Sequence, residues 1–289
     1  MNDMDWINSL QLTTSLVSLG LGGILLKCCY CRREERWSAE GILLTIIALL
    51  DCILSVYLIT TDIIRLAYPA SINNVLCLLS FFFEQGLGLA CLSIFLLLAV
   101  VRYRAVVSRK NDNPLAWTLA AFLLIIGLLV LFGLRTSKVY PYPSQMYCLP
   151  FSSTKGKIAS YMYFIFLLFY APHFFIIPFC YLRIVCHYSQ QSRGYSVTEF
   201  DTVKRINMKL LGLLAMTLVY WTCILPHVIV LHYVYIFRHE PSPVLDGLAY
   251  WLKGCFLIAN PLFPILFHSE IRANFCATFR SQPISFLHP

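Results

Sequence analysis

Three ionisable side chains stand inside long apolar runs: Asp51 in LLDC, Glu84 in FFFEQG and Lys253 in YWLKG. An acid at the centre of a hydrocarbon layer costs at least about 2.5 kcal/mol, so each is expected to have a partner or to line a wet cavity. A salt bridge between Glu84 and Lys253 is one such arrangement. A charged relay of Asp51, Glu84 and Lys253 serving a transported substrate is another. Glu84 and Arg102 lie 18 residues apart. On one helix that is about five turns, which puts them on one face and about 27 Å apart along the axis. One then belongs to an outer pocket and the other to the opposite boundary.

The elements that must position these residues follow from composition. The 289 residues are 59% hydrophobic and 12% charged, against roughly 25% charged in a soluble domain. The apolar residues form long blocks separated by short polar or basic stretches, so they read as membrane spans of about 20 residues or more. Seven segments qualify, near 10–30, 40–66, 74–100, 115–135, 158–186, 207–237 and 244–267. The third, fifth and sixth are long, which implies tilt or extension beyond the bilayer. The expected fold is an all-α seven-transmembrane bundle with one domain over 1–280 and a short cytosolic tail over 281–289. No repeat or extra-membrane domain is visible, and the acidic, polar residues 1–9 are not expected to form a cleavable leader.

The net charge of +8 is topological, because the basic residues cluster at the ends of apolar blocks. Fifteen of the 22 Lys and Arg residues, among them Arg32, Arg33, Arg104, Arg109, Lys204 and Arg205, fall on one side. That side is expected to be cytosolic, with the N-terminus outside and the C-terminus inside. The same clusters suit anionic lipid headgroups. Nucleic-acid binding and soluble enzyme chemistry are excluded. No His-x-x-Glu-His, paired intramembrane aspartates or Gly-x-Ser-x-Gly arrangement marks a membrane hydrolase.

Several landmarks then occur in order. They are Asp51 in the second span, Trp117 in the fourth, VRYRAVV at the end of the third, YWTCILP in the sixth and ANPLFP in the seventh. Cys77 stands 25 residues before Arg102, and Cys148 lies in the loop before the fifth span. In this set the chain resembles the rhodopsin-like (class A) family of G-protein-coupled receptors along nearly its whole length. The short stretch CYLRIV at 180–185 looks melatonin-receptor-like.

The resemblance implies a plasma-membrane receptor, not an enzyme. It would bind a small extracellular ligand and activate a heterotrimeric G protein through Arg102 and Tyr103. It also implies a disulfide between Cys77 and Cys148, and a polar core of Asp51, Asn260 and Pro261 with a sodium ion at Asp51 as the one candidate ion; Cys91 stands where the family usually offers a hydroxyl. Glu84 matches the acid that receives an amine ligand's ammonium, with Ile224, His227, Tyr250, Trp251 and Lys253 completing the expected ligand site. Opsins join retinal to a lysine seven residues before the seventh-span proline, whereas Lys253 stands eight before Pro261. One residue turns a side chain by about 100°, so no retinal is expected.

Val101, Ile224 and Pro264 replace the acid, tryptophan and tyrosine of the family's three motifs. With Val101 unable to restrain Arg102, elevated basal signalling is expected. Cys28, Cys29, Cys31 and Cys276 sit beside basic residues at span ends and are lipidation candidates, while their spacing does not suit a metal. The segment 268–279 resembles a short membrane-lying helix with Ile271 and Phe275 on its apolar side.

Overall fold

The structure, a computed structural model, describes residues 5–30, 39–67, 77, 79–108, 140–141, 144, 146–149, 157–192, 200–237, 240–267, 271–272 and 275. The described helices are α1 (Asp5–Tyr30), α2 (Ala39–Ala67), α3, α4 (Lys157–Ser192), α5 (Phe200–Phe237) and α6 (Pro243–Phe267). Helix α3 opens as a π-helical turn at Phe81–Leu87 and continues as α-helix over Gly88–Val106. These are the first, second, third, fifth, sixth and seventh expected spans. The fourth, with Trp117, lies outside the described residues. Two short strands, β1 (Tyr140–Pro141) and β2 (Cys148–Leu149), pair antiparallel with Pro141 opposite Cys148.

Composition and length make these helices membrane spans. Helices α4 and α5 contain 36 and 38 residues. At 1.5 Å per residue they exceed about 30 Å of hydrocarbon and project beyond it. They continue through Pro172, Pro178 and Pro226, as α6 does through Pro261 and Pro264. Membrane helices tolerate such prolines because neighbouring groups re-satisfy the freed carbonyls. Phe175, Leu182 and Leu218 are 75%, 62% and 60% exposed, an outward apolar surface that needs lipid against it.

Helix α1 packs on α2 and α6, α5 packs on α6, and α3 lies between α2 and α4. Helix α3 joins the two halves of the core. Its Ile94 and Leu98 belong to one core cluster with Leu43 and Ile47, while its Phe95 stacks on Tyr220 and meets Phe256 edge-on in the other. Small residues set the closest approaches. A Cβ on Gly22 of α1 would lie 2.8 Å from Cys52 Sγ of α2, and one on Gly254 of α6 would lie 2.8 Å from Gln11 Oε1 of α1. After α6, Ile271 is buried, Phe275 packs against the core and exposed Arg272 donates to the Leu266 carbonyl at 3.2 Å. The described part of the segment after the seventh span is thus helical with its apolar side turned inward.

Candidate functional site

At one end of the bundle a disulfide joins Cys77, just before α3, to Cys148 of β2, with Cα atoms 5.5 Å apart. The loop segment entering β2 is thereby drawn into the bundle: Ser144, Met146, Tyr147 and Cys148 are all buried. Helix α6 begins beneath it. Ser242 Oγ accepts the Leu245 N–H at 3.3 Å, and Asp246 in the first turn receives the loop. Asp246 Oδ2 accepts the Ser144 N–H at 3.0 Å, and Asp246 Oδ1 accepts the Tyr147 hydroxyl at 2.7 Å. The Tyr147 ring stacks on Tyr250, with centroids 4.8 Å apart, and meets His227 of α5 edge-on at 5.2 Å.

Deeper in, Glu84 lies in the π-helical turn and is 3% exposed. Ser80 Oγ and Arg65 Nη2 donate to its Oε1 at 2.7 and 3.4 Å, and the Tyr250 hydroxyl donates to its Oε2 at 2.6 Å. Arg65 also pairs with Asp62 at 3.2 Å. The carboxylate is thus paired with Arg65, a partner that neither expected arrangement included. Arg65 belongs to the last turn of α2, and its side chain is only 9% exposed. The Lys253 ammonium lies 5.8 Å from the Tyr250 ring centroid. Four of the six expected ligand residues, Glu84, Ile224, Tyr250 and Lys253, line one small cavity with Gln11 and Gly254, and His227 is not among its lining residues. Trp251 does not line it. Its indole N–H donates to Thr14 Oγ1 of α1 at 2.9 Å.

At mid-depth Asp51 is fully buried and its Oδ1 accepts from Asn260 Nδ2 at 3.2 Å, with the Cys91 thiol alongside. Asp51 Oδ2 and Asn260 Oδ1 have no hydrogen-bond partner among the described residues. Pro261 is buried one residue on. Nearby Ser55 donates to Ser18, which donates to the Leu257 carbonyl, tying α2 and α1 to α6.

The far end of α3 holds Arg102. Its Nη2 and Nε donate to Glu40 Oε1 at 2.6 and 2.9 Å, and its Nη1 lies 4.0 Å from Met216 Sδ of α5. Val101 does leave Arg102 without a neighbouring acid in sequence, yet Glu40 in the first turn of α2 supplies one. Arg102 is therefore restrained by an acid on another helix rather than by its neighbour in sequence. Tyr103 packs near Phe179 of α4, with centroids 6.2 Å apart. Among the lipidation candidates, Cys28 and Cys29 are 1% and 7% exposed and pack into the core. Cys31 and Cys276 lie outside the described residues.

Sequence reasoning missed Glu40, Arg65, Asp246 and Tyr147. Asp246 and Tyr250 are one helical turn apart on the face that also carries Lys253, a spacing visible in the sequence. Tyr147 stands next to the expected disulfide cysteine, which was the signal that it must lie near α3. Nothing local marked Glu40 as the partner of Arg102, because 62 residues separate them.

No curated protein sequence matches the chain significantly. A family model described as 7 transmembrane receptor (rhodopsin family) matches residues 22–265. That family-wide match lends no support to the melatonin-like stretch. Among solved structures the fold is similar to that of squid rhodopsin, with a TM-score of 0.74 and 13% identity over 97% of this chain and 87% of that one. A family match over most of the length, a fold similar to that of a rhodopsin and an ordered set of buried polar residues agree: the chain belongs to the rhodopsin family of seven-transmembrane receptors, and it is a receptor rather than an enzyme.

Proposed function

We propose that this receptor resides in the plasma membrane with its N-terminus outside, binds a small ligand between α3, α5 and α6 at the disulfide end, and engages a heterotrimeric G protein at the Arg102 end. The observation that carries the reading is Arg102 itself. It sits in the last turns of α3, clasped by Glu40 of α2 and beside Met216 of α5. An arginine held by a reversible ion pair between helices can be released when α5 moves, and a ligand that favours the released arrangement shifts the population towards it. A G-protein dissociation assay comparing wild type with Arg102→Ala, beside a substrate-uptake control, tests this. Equal G-protein signals from both would move the reading to a transporter.

The ligand is better read as something other than an amine, because Glu84 already has a guanidinium and two hydroxyl donors. An ammonium would have to displace Arg65. Retinal is disfavoured too. Lys253 stands eight residues before Pro261, one residue out of register with the lysine that carries retinal in opsins. Asp51 Oδ2 and Asn260 Oδ1 offer two oxygens to a hard cation, so sodium stays in the proposal for that core. It predicts that sodium raises the thermal midpoint of the wild type more than potassium does, and that Asp51→Asn abolishes the difference.

A further inference from the structure

Tyr147 belongs to a loop, yet its side chain is 0% exposed. Connecting segments usually run over the surface. This one places a phenol in a slot whose walls differ in chemistry: the face of Tyr250 at 4.8 Å, the edge of His227 at 5.2 Å, and the Asp246 carboxylate accepting the hydroxyl at 2.7 Å. Stacked and edge-on aromatic neighbours with a charged acceptor at the far end are what recognition of a hydroxylated ring requires. His227 adds a second sign. Its ring is fully buried, and neither nitrogen has a hydrogen-bond partner among the described residues. A buried imidazole in that state leaves an unused donor and acceptor at the wall of the slot.

The slot also joins two helices. His227 is on α5, while Asp246 and Tyr250 are on α6. Met216, eleven positions before His227 on α5, is the residue beside Arg102. That distance is about 16 Å along one helix. Whatever fills the slot therefore holds the helix that reaches the Arg102 latch.

We propose that the disulfide end of α5 and α6 carries a phenol-binding subsite, filled by Tyr147 as a built-in ligand, and that a free hydroxyphenyl compound takes the same slot when Tyr147 is absent or withdrawn. The inference rests on the receptor reading for the role of the site, and names the chemistry that site accepts. Tyr147 bound in place favours the arrangement in which Glu40 holds Arg102. A hydroxyphenyl compound carrying a further polar group would also satisfy His227.

The test uses the full-length receptor and 4-methylphenol, the free form of the tyrosine side chain. Tyr147→Ala should lower the thermal midpoint by several degrees. Millimolar 4-methylphenol should raise it back towards wild type, toluene should raise it less, and neither should shift the wild type. Adding Asp246→Asn to Tyr147→Ala should weaken 4-methylphenol binding by roughly tenfold, the loss of one charge-assisted hydrogen bond. No rescue, equal rescue by toluene, or the same shift in wild type would overturn the proposal. Should Tyr147→Ala fail to fold, Tyr147→Phe and Asp246→Asn supply a double-mutant cycle, in which coupled losses support the hydrogen-bonded slot and additive losses reject it. None of these measurements involves a G protein, so their failure leaves the receptor reading standing. Equal signals in the Arg102→Ala assay would remove that reading without touching the slot.

Discussion

Glu40 does for Arg102 what Val101 cannot. The pair is short, 2.6 Å, but Glu40 is about a third exposed, so its strength is that of a partly screened pair, about 1–2 kcal/mol at most. A latch of that size can hold a resting state and still yield to a ligand. Glu40→Gln should therefore raise basal G-protein turnover by roughly five- to thirtyfold, measured without added ligand in cells expressing matched surface amounts. Basal turnover equal to wild type would mean that Arg102 is restrained elsewhere. The Arg65 cluster is different in kind, because all three of its side chains are at least nine-tenths buried. Removing one partner of a buried ion pair costs about 3–5 kcal/mol, so Arg65→Met should strongly lower the thermal midpoint. Pairing it with Glu84→Gln should recover part of the loss, since one stranded carboxylate is then neutral. A double variant as unstable as the single one, or more so, would contradict the ion pair.

At the scale of elements, α2 and α3 are fastened at both ends with opposite polarity. Arg65 of α2 meets Glu84 of α3 near the disulfide, and Glu40 of α2 meets Arg102 of α3 at the other end. The two pairs can form together only if the helices keep compatible rotations at both ends. That agrees with the placing of Glu84 and Arg102 on one helix face, even though the π-helical turn at Phe81–Leu87 adds its own local rotation. Helix α1 is seated by steric fit instead. Gly22 faces Cys52 Sγ at a distance that leaves no room for a side chain, whereas a Cβ on its neighbour Gly23 would meet nothing within 4 Å. Gly22→Val is expected to cost about 1–3 kcal/mol by overpacking, while Gly23→Val should stay within about 0.5 kcal/mol of wild type. Thermal unfolding of the two purified variants decides this, and equal midpoints would place the α1–α2 contact elsewhere on α1.

For the whole molecule the basic residues make the clearest prediction. An epitope added at the N-terminus should bind antibody on intact cells, and one at the C-terminus only after permeabilisation. The reverse pattern would put Arg102 outside and end the G-protein reading. Most of the architecture was legible beforehand. Six expected spans reappear as α1 to α6 and the disulfide joins the two expected cysteines. The site was legible only in part: Glu84, Ile224, Tyr250 and Lys253 do share a cavity, while Trp251 turned towards α1. Spans are written in local hydropathy over about 20 residues. The direction in which one tryptophan points depends on the rotation and tilt that packing imposes.

The sequence by itself determined the class of molecule, the order of its spans and which few charges would have to find partners inside it, because hydrocarbon tolerates so few of them. Only the tertiary structure decided who those partners are. Glu84 meets Tyr250 across 166 residues, Tyr147 meets Asp246 across 99 and Arg102 meets Glu40 across 62. No local pattern encodes such separations. They are fixed when helices pack against one another, since a buried charge or hydroxyl takes the partner that the packed faces bring within about 3 Å of it.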